Sequence, residues 1–350
     1  MPAWDAYPPT YRQAEVESIC AALQAGECVS LVGLSGAGKS NLCGFLCARA
    51  RAAGLPTFLL VDCNRMLGTT PADLYALLAE VLAGEDPAPI PPGLRGLERL
   101  VASRLADQPG GLCLVLDRFD ALGQAGSVTA SSLRALRDRF KYQLTYLTAT
   151  RRPLASQASE LAELFFAHTL WLGPLSPADA RWSAASYAAR RGLSWGEDIL
   201  ARLLELSWGY PALLRGCCEA VANGAELEVA PLRAHPAVQR RAAEFWLDGP
   251  SPQELRLSGL EGQPLLALAA PLQVDPAALT AAEQRLLDYL QAHPGQVCAK
   301  DELVAAIWPD EIAQGGIRDD SLAQLVHRLR DKIGARFIQT VPARGYRFTG

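Results

Sequence analysis

The chain is poor in lysine and methionine and has no clustered histidine. Of its 33 basic residues only Lys39, Lys141, Lys300 and Lys332 are lysines, and 37 acidic residues bring the formal net charge to −4. A whole-molecule basic field is therefore excluded as the basis of any nucleic-acid binding. No uninterrupted apolar run reaches the roughly 20 residues that a membrane-spanning helix needs. The first five residues (Met1 to Asp5) lack a basic region followed by an apolar core, so no signal peptide is expected and a cytoplasmic location is the default. The nine cysteines include no C-x-x-C pair, and His168, His235, His293 and His327 stand singly, which argues against a zinc centre. Cys20, Cys28, Cys63 and Cys113 lie within apolar runs, and Cys43 and Cys47 sit one helical turn apart, as thiols used as small hydrophobes do. The adjacent Cys217 and Cys218 leave a redox role as the alternative. There is no internal repeat and no low-complexity tract.

What is present is an ordinary globular composition, 50% apolar and 20% charged over 350 residues, enough for two or three domains. Residues 33 to 40 read Gly-Leu-Ser-Gly-Ala-Gly-Lys-Ser, the phosphate-binding pattern G-x-x-x-x-G-K-[ST] without a mismatch. The run Cys28 to Val32 before it suits a buried strand, and Asn41 to Arg51 after it reads as a helix. Gly33, Gly36 and Gly38 let consecutive N–H groups turn towards phosphate oxygens, and the following helix adds its positive end. Ser35, Ala37 and Asn41 complete the cradle. Lys39 is expected to reach the β and γ phosphates of ATP, and the Ser40 hydroxyl to ligate Mg2+.

The rest of the first half alternates. Strands are expected at Thr57–Asp62, Leu112–Asp117, Leu144–Ala149 and His168–Leu172, and helices at Tyr11–Ala25, Pro71–Leu82 (capped by Thr70), Leu97–Leu105 and Ser131–Tyr142. Such alternation implies a parallel sheet with helices on both faces. Ser176-Pro177 opens an all-helical stretch that continues through Glu197–Leu206 and Pro211–Ala222. The expected domains are a nucleotide-binding core at 1–175, a helical lid at 176–247, a linker with short strands at 248–278 and a C-terminal domain at 279–350.

A phosphate loop needs a second strand that ends in a carboxylate to hold the metal, and Asp117 at the end of Leu112–Asp117 supplies it. The next position, where a second acid would orient the attacking water, holds Arg118, which cannot accept a proton. Asp120 is the substitute acid, or else a cap for the next segment. Thr150 and Arg151 follow another strand and are candidates for contact with the γ-phosphate, a solvated basic turn being the alternative. Arg215, on a helix after Gly209-Tyr210-Pro211, either reaches over the phosphates or lies on the surface. ATP binding is thus expected, and rapid hydrolysis is not.

These segments resemble the AAA+/STAND branch of P-loop ATPases, the signal-transduction ATPases with numerous domains, over roughly residues 8 to 224. The resemblance rests on Gly33–Ser40, Leu114–Asp120, Thr148–Arg151, Pro174-Leu175-Ser176 and Gly209-Tyr210-Pro211. It implies an ATP-preferring core with a helical lid, nucleotide-dependent closure and self-association. It also makes Tyr11 and Arg12 the candidates for the adenine side.

The last seventy residues follow a different plan. Thr280–Leu290 is a helix with a Thr280/Glu283 capping box, Ala299–Trp308 is a second, and Asp319–Ile333 a third whose apolar face carries Leu322, Leu325, Val326, Leu329 and Ile333. Its opposite stripe offers Ser321, Gln324 and Arg328, flanked by His327, Arg330 and Lys332. A hairpin, Phe337–Val341 and Tyr346–Phe348, closes the chain around Arg344. Three helices and a hairpin make a winged helix-turn-helix, and the segments closely resemble the DNA-binding domain of OmpR/PhoB-type response regulators. The resemblance implies that the third helix enters the major groove of double-stranded DNA with Arg328 at a base-reading position. It also implies phosphate contacts at His327, Arg330 and Thr340 and a hairpin grip at Arg344. Nine basic and nine acidic residues between 279 and 350 leave this domain neutral, so modest affinity per protomer is expected.

Taken together, the sequence predicts an α/β P-loop NTPase with a helical lid and a C-terminal winged helix. The favoured function is an ATP-controlled transcriptional regulator that self-associates. The rivals are an active ATPase that remodels or loads a partner on DNA, and a signalling or defence switch that uses the winged helix as an adaptor for a protein partner.

Overall fold

The computed structural model describes residues 3–49, 55–68, 70–84, 93–108, 110–122, 126–154, 163–165, 167–267, 279–293, 296–308, 319–333, 337–341 and 344–348. Their contacts divide the chain into two compact units, Met1–Leu227 with Pro252–Glu261, and Glu228–Ser251 with Gly262–Gly350.

The first unit is built on five parallel strands, β1 (Val29–Val32), β2 (Thr57–Asp62), β3 (Leu112–Asp117), β4 (Leu144–Thr150) and β5 (Thr169–Trp171), in the order β2-β3-β4-β1-β5. Every residue of β3 and β4 is buried, which is why both read as unbroken apolar or Thr-bearing runs. Helices α1 (Gln13–Gln24), α2 (Lys39–Arg49), α3 (Pro71–Ala83), α4 (Leu94–Ala106) and α5 (Gly126–Arg139) complete the core. Leu74 and Leu78 of α3, Leu97 and Val101 of α4, and Leu133 and Leu136 of α5 pack on Leu112, Leu114 and Leu116. On the other side, α2 packs against β2, β3 and β4 and buries Leu42, Cys43 and Leu46. The expected Thr70 cap of α3 forms in full, with Asp73 returning a bond to the Thr70 N–H.

The topology sets the chemistry. β4 lies between β1 and β3, so Val32 is paired with Thr150 and Thr148 with Leu116. The ends of all three strands therefore emerge side by side at the phosphate loop. Helices α6 (Pro177–Arg190), α7 (Glu197–Ser207) and α8 (Pro211–Ala222) pack on one another as the lid, with Ser176 capping α6 through the Asp179 N–H at 3.1 Å.

Two expectations need correction. The stretch expected to carry short strands contains a helix instead, α11 (Pro252–Leu257), preceded by α9 (Val229–Ala234) and α10 (Pro236–Trp246); residues 268–278 lie outside the described part. Pro236 and Pro252 sit in helical first turns, where a missing N–H costs nothing, so proline here starts helices. The C-terminal hairpin forms as expected, but a third strand that was not expected joins it. In the second unit β6 (Val297–Ala299), between α12 (Ala281–Ala292) and α13 (Lys300–Ile307), pairs with β8 (Gly345–Phe348), which also pairs with β7 (Ile338–Val341). Three residues are too few for alternation to signal a strand.

The second unit's core joins Leu286, Leu287 and Leu290 of α12, Leu303 and Ile307 of α13, and Leu322, Leu325, Val326 and Leu329 of α14 (Asp319–Ile333) to Ile338, Tyr346 and Phe348. The Thr280/Glu283 capping box forms as expected. Residues 309–318 and 342–343 fall outside the described residues. No described helix is long and apolar enough to cross a membrane.

Gly345 is the tightest point of this sheet. Its φ is +142° and a Cβ there would lie 2.0 Å from the Cys298 carbonyl oxygen. Replacing Gly345 with Ala should lower the stability of the second unit by about 2–4 kcal/mol, since strain and a lost strand pairing add. The urea midpoint of that unit, followed by circular dichroism, measures it.

Candidate functional site

The phosphate loop joins β1 to α2, and each of its carbonyl groups meets a donor. Lys39 Nζ donates to the carbonyls of Gly33 and Leu34, and the Ala37 N–H also reaches Leu34. The Tyr210 hydroxyl donates to the Ser35 oxygen at 2.6 Å. The Ala212 N–H donates to the Gly36 oxygen at 3.1 Å, and Arg12 Nη2 to the Ala37 oxygen at 3.0 Å. With its carbonyls tied in this way, the loop leaves N–H groups to offer to an anion. Gly36 and Gly38 make this possible at φ +86° and +90°. A Cβ on Gly36 would also come within 2.3 Å of the Ala212 Cβ, so the lid rests directly on the loop.

Arg12 lies beneath the loop. It is 2% exposed in a left-handed conformation at the start of α1. Besides Ala37 it donates to the Gly173 and Pro174 carbonyls at 2.9 and 3.3 Å and pairs with Glu15 at 2.6 Å, while its own N–H reaches Asp179 Oδ2 at 3.0 Å. Through its guanidinium and its main-chain N–H, this one buried residue joins the loop, the exit of β5 and the first turn of α6. Tyr11 is buried beside it against Phe45, Tyr7 and Trp182, and burial pushes its hydroxyl up to about 12. Both adenine-side candidates stand next to the loop, and every contact of Arg12 described above goes to the protein.

At the head of α2 Ser40 lies near enough to the Asp117 carboxylate to lower its pKa, and the Arg118 N–H donates to Asp117 Oδ1 at 3.0 Å. Asp117 is 7% exposed, and burial raises its pKa, with Asp62 beside it in register adding to the rise. A buried carboxylate and a hydroxyl beside it, with a second carboxylate nearby, form the hard-oxygen donor set that Mg2+ takes. The residues present therefore fit a magnesium nucleotide.

Arg118 turns away. It sits at φ +54°, and its Nε and Nη1 lie 3.1 and 2.9 Å from the Asn64 side-chain amide, which accepts from both when its oxygen rather than its nitrogen faces them. Asp120 is drawn instead to the end of β4, where its Oδ1 accepts from the Arg151 N–H at 2.8 Å and its Oδ2 lies 3.8 Å from Arg151 Nε. Thr150 is fully buried with no partner for its Oγ1, and its carbonyl accepts from the Gly33 N–H at 3.1 Å. An unsatisfied hydroxyl of this kind, next to the loop, is what a phosphate oxygen or its water would satisfy. Asn41 is exposed on the first turn of α2. Arg215 does not point at the loop. Its guanidinium stacks on the Tyr187 ring at 4.2 Å, within the lid.

The thiols take no part. All nine cysteines are unpaired, and burial pushes Cys47, Cys63, Cys217 and Cys218 up to about 12, far from the thiolate a redox centre needs. Among the described residues no group of His, Cys, Asp and Glu is arranged to hold a metal by itself.

A family model described as Novel STAND NTPase 1 matches residues 10–214, well over half of the chain. The chain belongs to this family. The STAND NTPase region ends within the lid, just after the Tyr210 contact with the loop. A second family model, described as Transcriptional regulatory protein, C terminal, matches residues 275–348. The two-component response regulator PhoP of Pseudomonas aeruginosa is 41% identical over 85 residues, which is 23% of this chain and 36% of that protein. The chain thus spans about a third of the length of that curated relative. Among solved structures, a Walker-type ATPase of Pyrococcus abyssi aligns with 96% of this chain and 92% of its own at a TM-score of 0.51 and 16% identity, a likeness of fold alone. The Orc1 protein of Aeropyrum pernix, solved in complex with DNA, aligns with 97% and 89% at a TM-score of 0.47 and 16% identity. This STAND NTPase is therefore fused to a C-terminal domain of the transcriptional-regulator type.

In that domain the expected contact residues separate into two groups. Ser321, Gln324, His327 and Arg328 are exposed on α14 opposite its core face, and Arg344 is exposed at the base of β8. His327 pairs with Asp331 at 3.0 Å. Arg330, Thr340 and Lys332 have internal work. Arg330 donates to the Ile338 carbonyl at 2.7 and 2.9 Å and to Thr340 Oγ1 at 2.8 Å, which fastens α14 to β7. Lys332 donates at 2.6 Å to Glu283, itself 1% exposed, across to α12. The sequence pattern missed these roles because it shows which helical face a residue is on and not what lies beyond the helix.

The raised pKa of Asp117 carries a test. A buried carboxyl whose folded pKa lies above its unfolded value opposes folding, and the penalty grows as pH rises through that window. Asp117→Asn should therefore raise the melting temperature of the free protein at pH 7.5. The gap should close below about pH 4, where both forms are neutral. Calorimetry across pH checks both parts.

Proposed function

We propose that this chain is a nucleotide-controlled regulator that binds double-stranded DNA through its C-terminal winged helix. Mg-ATP is the ligand of the first unit, with Gly33–Asn41 as its phosphate cradle, Lys39 at the β and γ phosphates, and Ser40 and Asp117 holding the metal. The observation that carries this half is the loop from Gly33 to Ala37 with every carbonyl tied to a donor, next to the buried Thr150 hydroxyl that has no partner. The bound metal would neutralise phosphate charge, and the chain's own residues would orient the γ-phosphate. In this reading residues 1–175 act as core, 176–247 include the lid and 279–350 form the DNA reader.

Slow turnover is part of the proposal. The position after Asp117 is a left-handed arginine turned to Asn64, and Asp120 is already accepting from Arg151. That engagement favours a switch over a remodelling motor: steady-state hydrolysis below about 1 per minute, against the 1–10³ per second of typical enzymes, is expected, and DNA-stimulated turnover above that would favour the motor.

On DNA, self-association supplies the affinity that a neutral domain lacks, because linked copies bind by effective concentration. Arg328 is the residue for base readout and Arg344 for the backbone. ATP should tighten DNA binding of the wild-type chain in an electrophoretic shift assay. Lys39→Ala should lose both ATP affinity, by about 100-fold or more, and the ATP effect on DNA. Equal shifts with and without ATP in both proteins would refute nucleotide control.

Within the winged helix, Arg328→Ala should weaken DNA binding about 10- to 100-fold, the cost of one base-reading contact. Lys332→Ala should change it less than about threefold, but should lower the thermal stability of the second unit, because Glu283 then stays buried without its cation. Anisotropy with labelled DNA and calorimetry separate the two.

A further inference from the structure

We propose that Tyr210 carries the state of the phosphate loop into the lid, acting through the Ser35–Gly36 peptide. The inference deepens the proposed function and rests on it. Tyr210 is completely buried and sits at the start of α8, its N–H donating to the Ser207 carbonyl at 3.0 Å. Its neighbour Gly209 accepts from the Leu175 N–H at 3.0 Å, where the chain leaves the core. The side chain is thus rooted in the lid at both ends of the turn, and its hydroxyl crosses to the loop at 2.6 Å.

The Ser35 C=O and the Gly36 N–H belong to one planar peptide. Any rotation that aims the Gly36 N–H at a phosphate oxygen swings the Ser35 oxygen by the same angle. Gly36, at φ +86° and without a Cβ, is where the backbone can make that rotation. The oxygen that moves is the one Tyr210 holds, so an anion on one side of the peptide pulls or releases α8 on the other. A peptide hydrogen-bonded at both ends is also polarised, which couples the two bonds energetically. Arg215, which sequence order offered as the lid's phosphate sensor, stacks on Tyr187 instead. Tyr210 fills that role without charge, through the main chain. It is a positioning residue that need not touch the nucleotide.

Tyr210→Phe in the full chain tests this, since it removes one hydroxyl and keeps the buried ring. Affinity for Mg-ATP is measured by calorimetry, and hydrogen exchange is followed on peptides covering residues 207–222 with and without Mg-ATP. The wild-type lid should show a nucleotide-dependent change in exchange. In the variant, affinity should stay within about threefold, the size of one lost neutral hydrogen bond, while the lid response falls to less than about half. The ATP effect on DNA binding should shrink in parallel. A lid response of wild-type size in Tyr210→Phe overturns the inference and leaves the proposed function standing. A folded variant that no longer binds Mg-ATP overturns it differently, by making Tyr210 part of the ligand site. Failure of the wild-type chain to bind Mg-ATP refutes the proposed function itself, and the inference with it. A lower melting temperature without loss of the lid response would show a structural role only, and would also overturn the inference.

Discussion

Everything in the first unit depends on how the carbonyls of Gly33 to Ala37 are held. A loop that offers N–H groups to an anion must send its carbonyls the other way, and unpaired carbonyls in a buried place are costly. Here Lys39, Tyr210, Ala212 and Arg12 satisfy them one by one. Two of those donors belong to the lid and one to the segment before α1. The loop's shape and the lid's position are therefore fixed by the same hydrogen bonds, and coupling between them needs no additional device.

The buried Arg12 extends this arrangement to the junction. By donating to Ala37, Gly173 and Pro174 while its N–H meets Asp179, it binds the loop, the end of β5 and the start of α6 into one polar cluster. Such a cluster is sensitive because each buried partner would be left unsatisfied if another moved. At the end of β3, Asp117 is held in surroundings that disfavour its charge. The Asp120–Arg151 contact keeps Asp120 engaged at the end of β4.

The second unit shows the same division between residues that build and residues that face outward. Glu283 closes the capping box of α12 and takes Lys332, while Arg330 fastens α14 to Ile338 and Thr340. These cations hold the frame. What they leave exposed on α14, Ser321, Gln324 and Arg328, is a short polar stripe of modest charge. A reader of this kind suits association of several copies better than tight binding by one.

The sequence by itself determined the phosphate loop, the carboxylate strand, the apolar face of α14, the Thr70 cap and the Thr280/Glu283 capping box. Each is local, set by residues within one turn or one strand, where spacing alone decides geometry. The order of strands, and with it the meeting of Thr150, Gly33 and Asp117, was legible only as a class, through alternation of strands and helices. Partners far apart in the chain were decided by the tertiary structure. Arg12 with Asp179, Tyr210 with Ser35, Arg118 with Asn64 and Lys332 with Glu283 are separated by dozens of residues or more, and no periodicity records which distant carbonyl or carboxylate a cation will meet. A side chain's type fixes what it can bond, and only the packed fold, by bringing one acceptor within 3 Å and burying both, fixes what it does bond.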